Sequence, residues 1–504
     1  MRNLGIGTWI HRRRVKSAES IAILDGDRRL RYDVLAARID RLTNALQAQG
    51  VAPGERVAYI GPNAAEFLEA MFACGQAGAV FVPLNIRLAT EEVAYALADS
   101  GASLLFHTAD FADVVATAQL PRVVVGTAPD AAAVRYEDML TAADADHPDL
   151  PVALDDAALI LYTSGTTGRP KGAVLSHGNL TWNAINVLVD YDVTSADVAL
   201  MASPLFHVAS LGMGALPTLL KGGTLVLQPT FEPGAVLAAI AEHRVTALSG
   251  VPTTFQLLAE HPDWPRTDLS SVTMLTCGGS AVPARVADAY ERRGLSFSSG
   301  YGLTETSPGA TSLSPRHSRE RSTTSGLPHF FTDVRVADPQ GREMPSGEIG
   351  EILISGPNVI AGYWNRPDAT AQAIADGWLH SGDLGFRDAD GYLTIADRAK
   401  DMFISGGENV YPAEIERVVL ELPEVAAVAI IGVPDDRWGE VGRAVVVAAA
   451  GSTVSHDLVA GHLNGRVARY KIPKSTVIVA DLPRTASGKI RKREVRDLYG
   501  RDTT

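Results

Sequence analysis

Apolar residues recur along the first hundred positions at two alternating spacings, one typical of helices and one typical of buried strands. The segment 31–49 predicts an amphipathic helix that ends at Gly50 and Pro53. The apolar stripe of this helix comprises Val34, Leu35, Ile39, Leu42 and Leu46. The next segments, which predict strand, helix, strand and helix in turn, are 56–60, 64–78, 79–84 and 91–99. Helices and strands in alternation favour an α/β layered sheet.

Apolar segments further along the chain continue this pattern before it changes. Apolar runs that end in turn residues predict further strands at 200–206, 223–229, 243–252 and 272–279. From Gly347 onward the strands shorten and turns crowd together, which indicates a small β-rich subdomain. After Lys400 a compact α+β pattern predicts helices at 412–422 and 458–469 and strands at 425–434 and 443–450. We therefore expect an α/β protein with a large N-terminal part, which includes the β-rich subdomain, and a small α+β C-terminal part.

The composition is that of a globular protein with more than one domain. The chain has 504 residues, of which 46% are hydrophobic and 20% are charged, and this length exceeds what one hydrophobic core usually serves. The net charge is −13, and the acidic residues are spread along the chain. General binding to nucleic acid or to an anionic membrane needs a basic surface, so this charge argues against both partners. A small anion in a local cationic pocket remains compatible with it.

The cysteines and the apolar segments indicate the cellular compartment in which the protein is expected. Cys74 and Cys277 show no paired metal spacing, which favours buried free thiols in a reducing environment. The first 17 residues carry basic side chains before any long apolar stretch, which makes a poor secretory signal. The apolar stretch 209–220 is too short for a membrane span and contains Pro217. We expect a cytoplasmic protein without integral membrane contact, either a monomer or a homodimer.

Glycine, hydroxyl and lysine side chains are concentrated between Thr163 and Gly172, in a loop that joins two predicted strands. Glycines let successive backbone N–H groups converge on an anion, the hydroxyls add donors, and Lys171 adds a positive charge. Such a loop suits a polyphosphate. The Walker A pattern does not fit, because Gly165 is not followed five places later by Gly-Lys-Ser/Thr and no helix begins at the lysine. An ordinary surface hairpin is the alternative, and the residue chemistry alone leaves the ligand open.

Seven motifs spread along the chain resemble those of the adenylate-forming superfamily, which includes acyl-CoA synthetases, firefly luciferase and peptide-synthetase adenylation domains. In chain order they are YTSGTTGRPKGAVLSH (162–177), SPLFHVAS (203–210), CGGSAVP (277–283), SSGYGLTET (298–306), HSGDLG (380–385), DRAKD (397–401) and PRTASGKIRKRE (483–494). The resemblance implies that a carboxylic acid reacts with ATP to give acyl-AMP and pyrophosphate. The acyl group then passes to the thiol of CoA.

The resemblance also implies which residues hold ATP and Mg²⁺. The residues expected to hold the triphosphate are Thr163, Ser164, Gly165, Thr166, Thr167, Gly168 and Lys171. Thr304 would contact the α-phosphate, and Glu305 with Thr167 would bind Mg²⁺. The residues expected around adenine are Gly278, Gly279, Ser280, Ser299, Gly300, Tyr301 and Gly302. Ser299 departs from the Gln, Asn or Asp common there, so a water molecule would bridge it to the base. Asp383 and Arg398 would contact the ribose or a phosphate.

A moving C-terminal domain follows from the same resemblance. Lys489 matches the lysine that bridges the substrate carboxylate and the α-phosphate, and Lys400 matches the hinge. Gly406 and Gly407 would let the backbone pass close to the pantetheine arm of CoA. The expected domains are 1–397, which binds ATP and the acyl substrate, and 398–504, which moves. The basic residues that follow Lys489, at 491–493, are expected to be solvated.

The acid itself is less closely defined. The expected pocket residues, which are small or apolar apart from one histidine, are His207, Val208, Ala209, Ser210, Gly212, Gly278, Gly300, Leu303 and Gly309. His207 would gate the pocket or adjoin the carboxylate. No arginine among them suits a second carboxylate, which disfavours dicarboxylates. The segments 203–223 and 326–336 resemble bacterial feruloyl- or hydroxycinnamoyl-CoA synthetases and their fatty acyl-CoA relatives. Aromatic propenoic acids therefore rank above medium-chain fatty acids, while a non-CoA acceptor or a regulator without turnover stays open.

Overall fold

The computed structural model describes residues 3–126, 133–148, 150–163, 170–278, 282–398, 400–405, 408–435, 437–485 and 488–501. The helices are α1 Trp9–Ser17, α2 Tyr32–Ala48, α3 Ala65–Ala77, α4 Thr90–Ser100, α5 Tyr136–Ala142, α6 His177–Asp190, α7 Val208–Ser210, α8 Leu216–Lys221, α9 Pro233–His243, α10 Pro252–Glu260, α11 Ala284–Glu291, α12 Pro367–Ala373, α13 Pro412–Val419, α14 His456–Leu463 and α15 Lys492–Tyr499. A π-helical segment, Leu211–Ala215, joins α7 to α8. Within these ranges no helix is both long and apolar enough to cross a bilayer.

The strands alternate with these helices over the first two thirds of the chain. They are β1 Ile21–Asp25, β2 Arg28–Arg31, β3 Arg56–Ile60, β4 Val80–Pro83, β5 Leu104–Thr108, β6 Arg122–Val125, β7 Val134–Arg135, β8 Ala157–Thr163, β9 Lys171–Ser176, β10 Val198–Met201, β11 Thr224–Leu227, β12 Ala247–Gly250, β13 Met274–Cys277, β14 Phe297–Gly302, β15 Gly309–Leu313, β16 Leu327–Pro328, β17 Asp333–Ala337, β18 Gly350–Ser355, β19 Gly362–Tyr363, β20 Ile374–Ala375, β21 Trp378–Arg387, β22 Leu393–Arg398, β23 Phe403–Ser405, β24 Glu408–Val410, β25 Val425–Asp435, β26 Gly439–Ala448 and β27 Ser475–Val479.

Two large sheets form the N-terminal part. One has the strand order β16-β15-β14-β13-β12-β10-β11-β1-β2, and the other has the order β19-β9-β8-β4-β3-β5-β6-β7. Their central strands are parallel and consist mostly of buried apolar residues, because helices cover both faces. Helix α3, buried along its whole length, belongs to the largest hydrophobic core of this part. The expected α/β fold with a large N-terminal domain and a smaller C-terminal domain is confirmed.

Two smaller sheets complete the chain. Strands β17, β18, β20, β21 and β22 form the β-rich unit predicted from Gly347 onward, which begins slightly earlier, at Asp333. Strands β23 to β27 form the C-terminal sheet around its own core. Cys74 and Cys277 are buried free thiols, as expected, and burial raises the pKa of each.

Three local expectations are wrong. Val34 is 39% exposed, while the other members of its predicted stripe in α2 are buried. The helix expected to reach residue 469 ends at Leu463, because Asn464 is extended and Gly465 takes a positive φ of 76°. Lys492, expected to be solvated, has a largely buried side chain. Its neighbours Arg491 and Arg493 are exposed as expected.

The buried Lys492 on α15 joins helix α13 of the C-terminal part to β22, the last strand of the β-rich unit. Its Nζ lies 3.0 Å from Glu416 Oε1 on α13 and 3.9 Å from Asp397 Oδ1 on β22. Burial by itself would lower the pKa of Lys492, but the charges of Glu416 and Asp397 outweigh it and raise the pKa, so the ammonium stays charged. Asp397 also accepts a hydrogen bond from the Ala413 N–H, at 2.7 Å, in the first turn of α13.

Substitution of Lys492 by methionine should lower the free energy of unfolding by about 2–4 kcal/mol, because the buried Glu416 would lose the cation that lies 3.0 Å from its carboxylate. Urea unfolding followed by circular dichroism measures this change. The exposed neighbour provides a matched control, since Arg493→Met should change the same free energy by less than about 0.5 kcal/mol. Equal effects of the two substitutions would contradict the structural role of Lys492.

Candidate active site

The carboxyl ends of four parallel strands define one edge of the larger sheet. Strands β10, β12, β13 and β14 are parallel neighbours, and the segments that follow them carry His207, Val251, Gly278 and Leu303. Ligands of open α/β sheets bind at this edge. Asn63 fixes the first of these turns, because its Nδ2 donates to the carbonyl groups of Met201 and Ser203 at 3.1 and 3.0 Å.

The glycine-rich loop is the tip of a hairpin formed by β8 and β9, as the sequence predicts. Thr163 pairs with Lys171 where the two strands leave the described region, and the Thr163 hydroxyl donates to the Lys171 carbonyl at 3.4 Å. Five residues expected to hold phosphates lie outside the described residues: Ser164, Gly165, Thr166, Thr167 and Gly168. The two paired strands β8 and β9 are therefore the part of the hairpin that the structure describes.

Asp99, at the end of α4, holds this hairpin from one side. Its carboxylate accepts a hydrogen bond from the Tyr162 hydroxyl at 2.9 Å and pairs with Arg366. Its backbone carbonyl accepts from Trp364 Nε1 at 3.1 Å. The Tyr95 hydroxyl, one turn earlier in α4, donates to the Pro170 carbonyl at 3.1 Å. These contacts fix both strands of the hairpin against α4 and the segment after β19.

Tyr363 links the hairpin to the end of β14. Its ring lies 5.1 Å from Lys171 Nζ, within cation–π distance, and its hydroxyl donates to Glu305 Oε1 at 2.8 Å. Burial, followed by the charge of Glu305, raises the pKa of Tyr363, so the hydroxyl stays protonated and donating. No described lysine or arginine forms an ion pair with Glu305. A carboxylate with one tyrosine donor and no cationic partner in this part of the chain fits a hard divalent cation such as Mg²⁺.

Two residues expected at the nucleoside, Tyr301 and Asp383, are in contact. The Tyr301 hydroxyl donates to Asp383 Oδ2 at 2.6 Å, and Asp383 is buried. Asp383 on β21 pairs in register with Arg398 on β22, whose side chain lies outside the described part. Gly278 follows β13, and a Cβ placed on it would meet nothing within 4 Å, so the space beside its backbone is open. Gly279 and Ser280 lie outside the described residues, while Ser299, Gly300 and Gly302 belong to β14 beside Tyr301.

His207 and Lys489 approach the same edge from opposite parts of the chain. Burial, followed by the positive charges of Lys489 and Arg87, lowers the pKa of His207 to about 4, so its imidazole is neutral at pH 7. Its Nε2 is buried and has no hydrogen-bond partner among the described residues. A Cβ placed on Gly488 would lie 3.6 Å from Val251 Cγ2, which places the loop before Lys489 against this edge. Lys400 is exposed, and Gly406 and Gly407 lie outside the described residues.

The expected acyl-pocket residues divide into an open and a packed group. Ala209 is exposed, whereas Val208 packs in the hydrophobic core and the Ser210 hydroxyl donates to the Ser203 carbonyl at 2.9 Å. Asn183 of α6 joins two pocket glycines, because its Nδ2 donates to the Gly212 carbonyl at 2.9 Å and its Oδ1 accepts from the Gly309 N–H at 3.0 Å. Gly300 and Leu303, on and after β14, are half-buried.

Sequence reasoning missed the residues that position these groups. The residues outside the segments singled out by their chemistry are Asn63, Asp99, Asn183 and Tyr363. Each acts across a long stretch of chain, as in the pair Tyr363 and Glu305, which are 58 positions apart. An isolated Asn or Tyr carries no local signal for such a role.

Comparison with known proteins agrees with this geometry. Residues 10–364 match the family model described as AMP-binding enzyme, and residues 414–489 match the AMP-binding enzyme C-terminal domain. The chain belongs to the AMP-binding enzyme family. It is 54% identical over 500 residues to the feruloyl-CoA synthase of an Amycolatopsis species, with 99% of this chain and 100% of the relative covered. The expected membership of the adenylate-forming enzymes, on the acyl-CoA synthetase branch, is confirmed.

Other relatives of this AMP-binding enzyme span nearly its whole length. The indoleacetate–CoA ligase of Aromatoleum aromaticum is 42% identical, with 99% of each chain covered. The long-chain-fatty-acid–CoA ligase FadD13 of Mycobacterium tuberculosis is 36% identical, again with 99% of each covered. Among solved structures, ATP-bound MatB from Rhodopseudomonas palustris superimposes with a TM-score of 0.91 at 32% identity, covering 99% of both chains.

The contacts of Asp99 predict a nucleotide-binding defect when they are removed. Asp99→Ala should raise the KM for ATP about tenfold, because Tyr162 and Arg366 lose their shared acceptor and the hairpin loses its fixed position. The KM for the acid should change less. ATP–pyrophosphate exchange measures the two KM values when ATP and the acid are varied in turn. Asp110→Ala, which changes an exposed aspartate eleven positions later, is the matched control. An unchanged KM for ATP in the Asp99 variant would contradict the role of this contact.

Proposed function

We propose that the protein activates a hydrophobic, aromatic carboxylic acid with ATP and transfers the acyl group to CoA. The products are acyl-CoA, AMP and pyrophosphate. The observation that carries this proposal is that Lys171 and Glu305 both contact Tyr363, while the charge of Lys489 acts on His207 beyond the end of β10. A carboxylate that must approach a phosphate needs positive charge around it. These residues offer two cationic groups, one carboxylate suited to a metal and one neutral imidazole.

The chemical difficulty is electrostatic. A carboxylate and the α-phosphate of ATP repel each other, so their reaction needs positive charge and an in-line approach. We assign Lys489 to the carboxylate and the α-phosphate, and Thr304 to the α-phosphate. The neutral imidazole of His207 adds no charge and borders the carboxylate. The carboxylate oxygen attacks the α-phosphorus, and pyrophosphate leaves.

ATP would lie across the edge, from the hairpin to the β-rich unit. We assign the triphosphate to Thr163, Lys171 and the loop between them, and the nucleoside to Tyr301, Asp383 and Arg398. Mg²⁺ bound by Glu305 and Thr167 would neutralise part of the triphosphate charge. Tyr363 orients Glu305 for this task while its ring holds the Lys171 ammonium nearby.

The second half-reaction needs different groups at the same place. We assign 398–504 as a mobile domain that turns about Lys400, so that Lys489 leaves after adenylation and the segment with Gly406 and Gly407 approaches CoA. The CoA sulfur then attacks the acyl carbon, and AMP leaves. The family matches support two units, because they separate 10–364 from 414–489.

Aromatic acids are the preferred substrate class. The relatives at 54% and 42% identity carry the names of two aromatic acids, ferulic and indoleacetic. The exposed Ala209 and the open space beside the Gly278 backbone are compatible with a flat ring. A fatty acid–CoA ligase is the second candidate, favoured by the relative at 36% identity.

Pyrophosphate release tests the proposal on cinnamic, benzoic, indoleacetic and fatty acids, each with and without CoA. We expect turnover to require an acid and CoA, and cinnamic acids to give the highest kcat/KM. Faster turnover of fatty acids would favour the second candidate. Turnover that is indifferent to CoA but accelerated by another nucleophile would contradict CoA as the acceptor.

Lys489→Ala should separate the two half-reactions. The rate of acyl-AMP formation should fall about 10²–10³-fold, because the variant lacks the cation between two anions. Thioester formation from supplied acyl-AMP and CoA should keep its rate, since Lys489 takes no part in that step. Lys474→Ala, which changes another exposed lysine of the C-terminal part, should leave both rates intact. An equal loss in both half-reactions of the Lys489 variant would refute this division.

A further inference from the structure

Two histidines and an aspartate meet in the N-terminal part, and none of them belongs to the candidate active site. His11 on α1, Asp40 on α2 and His147, between α5 and β8, each offer one ligand atom. These atoms all lie within 4.8 Å of one another, and within the described ranges no other group of His, Cys, Asp or Glu side chains is arranged in this way. Asp40 is buried, whereas both histidines are partly exposed, so an ion can reach this cluster from the solvent.

Asp40 is the centre of the cluster. Its Oδ1 lies 2.8 Å from His147 Nδ1, and its Oδ2 lies 3.1 Å from Nη1 of Arg14. The rings of His11 and His147 stack, with their centroids 3.5 Å apart. One carboxylate beside two imidazoles suits Zn²⁺ and the neighbouring divalent transition metals, whereas Mg²⁺ and Ca²⁺ prefer oxygen ligands.

Gln76 of α3 supplies a second observation at the same place. Its side chain is fully buried, and its Oε1 has no hydrogen-bond partner among the described residues. On the same amide, Nε2 lies 2.9 Å from Asp40 Oδ1 and 3.1 Å from His147 Nδ1, so the amide borders the cluster. Buried polar atoms in folded proteins are normally paired, with protein or with an ordered ligand. A half-turn of the amide would bring the unpartnered oxygen to the cluster, where a cation would bind it.

Arg14 of α1 is the cation that the cluster holds in the structure. Its Nη2 lies 2.8 Å from His11 Nδ1, while its Nη1 donates to Asp40. Because a guanidinium only donates, His11 Nδ1 is the acceptor and its lone pair faces the cluster. The Arg14 side chain is 33% exposed, so it can turn towards the solvent and yield its place to a metal ion.

We propose that His11, Asp40 and His147 bind one divalent transition-metal ion such as Zn²⁺, with the Gln76 amide oxygen as the fourth ligand. The ion replaces the Arg14 guanidinium, and any proton on the ligating nitrogen of His147 passes to the solvent. One of the stacked rings turns about its Cβ–Cγ bond, because parallel rings do not direct their lone pairs at one point. The bound ion joins α1, α2, α3 and the segment before β8, so it stabilises the N-terminal part. This inference goes beyond the proposed function and does not depend on it.

Calorimetric titration of the full chain with Zn²⁺, without nucleotide and without a histidine tag, tests the inference. We expect about one ion per chain, and no binding of Mg²⁺ at the same concentration, since the two imidazoles do not suit it. Zn²⁺ at about 100 times its Kd should raise the Tm by about 3 °C, because the ion binds the folded chain and not the unfolded one.

Three substitutions locate the bound ion. His147→Asn should raise the Kd for Zn²⁺ about 10²-fold, since one of its ligands is lost. His317→Asn is the matched control, because this exposed histidine lies 3.8 Å from the Glu320 carboxylate but does not belong to the cluster, and the Kd should not change. Arg14→Gln should lower the Kd about tenfold, because the ion no longer competes with a positive charge at the same ligands.

The inference is overturned if wild-type protein binds Zn²⁺ no more tightly than Mg²⁺, or if His147→Asn and His317→Asn change the Kd equally. Weaker zinc binding by Arg14→Gln would show that the guanidinium is a permanent part of the cluster and would also overturn it. If His147→Asn does not fold, His11→Asn replaces it with the same expected loss. Acyl-CoA formation with Mg²⁺ should be unchanged in His147→Asn, so these outcomes leave the proposed function untouched.

Discussion

A hydrogen bond from the Tyr363 hydroxyl to Glu305 joins the two large sheets at the candidate active site. Tyr363 belongs to the sheet that carries the glycine-rich hairpin, and Glu305 follows β14 of the other sheet. A second hydrogen bond, from the Ile360 N–H to the Glu305 carbonyl at 2.9 Å, connects the segment before β19 to the same residue. The hairpin cation Lys171 and the metal-suited carboxylate therefore have a fixed relation, although they come from separate sheets.

In the proposed function, this fixed relation would allow one lysine to come from far along the chain. Lys171 and Glu305 would hold the outer phosphates, so the charge needed at the α-phosphate could be supplied by a separate unit that later withdraws. The influence of Lys489 on the pKa of His207 links that unit to the edge. In the proposed function, a cation kept permanently at this edge would occupy the place that the thiol needs in the second half-reaction.

Much of the framework was predictable from local patterns. Alternating helices and strands correctly predicted the fold class. Glycine, hydroxyl and lysine residues in one loop predict an anion site, and this stays a prediction, because residues 164–169 lie outside the described part and only the flanking strands β8 and β9 are seen to pair. Local pattern failed where distant residues decide the outcome. Lys492 appeared in a basic run typical of solvated charge, yet Glu416 and Asp397 surround it in the fold. His147 and Asp40 are 107 positions apart, so no spacing could reveal that they pair.

The central claim is that the hairpin, Lys171 and Glu305 together receive the triphosphate of ATP. A crystal structure with a non-hydrolysable ATP analogue and Mg²⁺ tests it most directly. We predict the β- and γ-phosphates against Lys171 and the hairpin tip, the metal on Glu305, and the Tyr363 hydroxyl still donating to that carboxylate. A triphosphate bound away from the hairpin, or a metal bound without Glu305, would contradict the account.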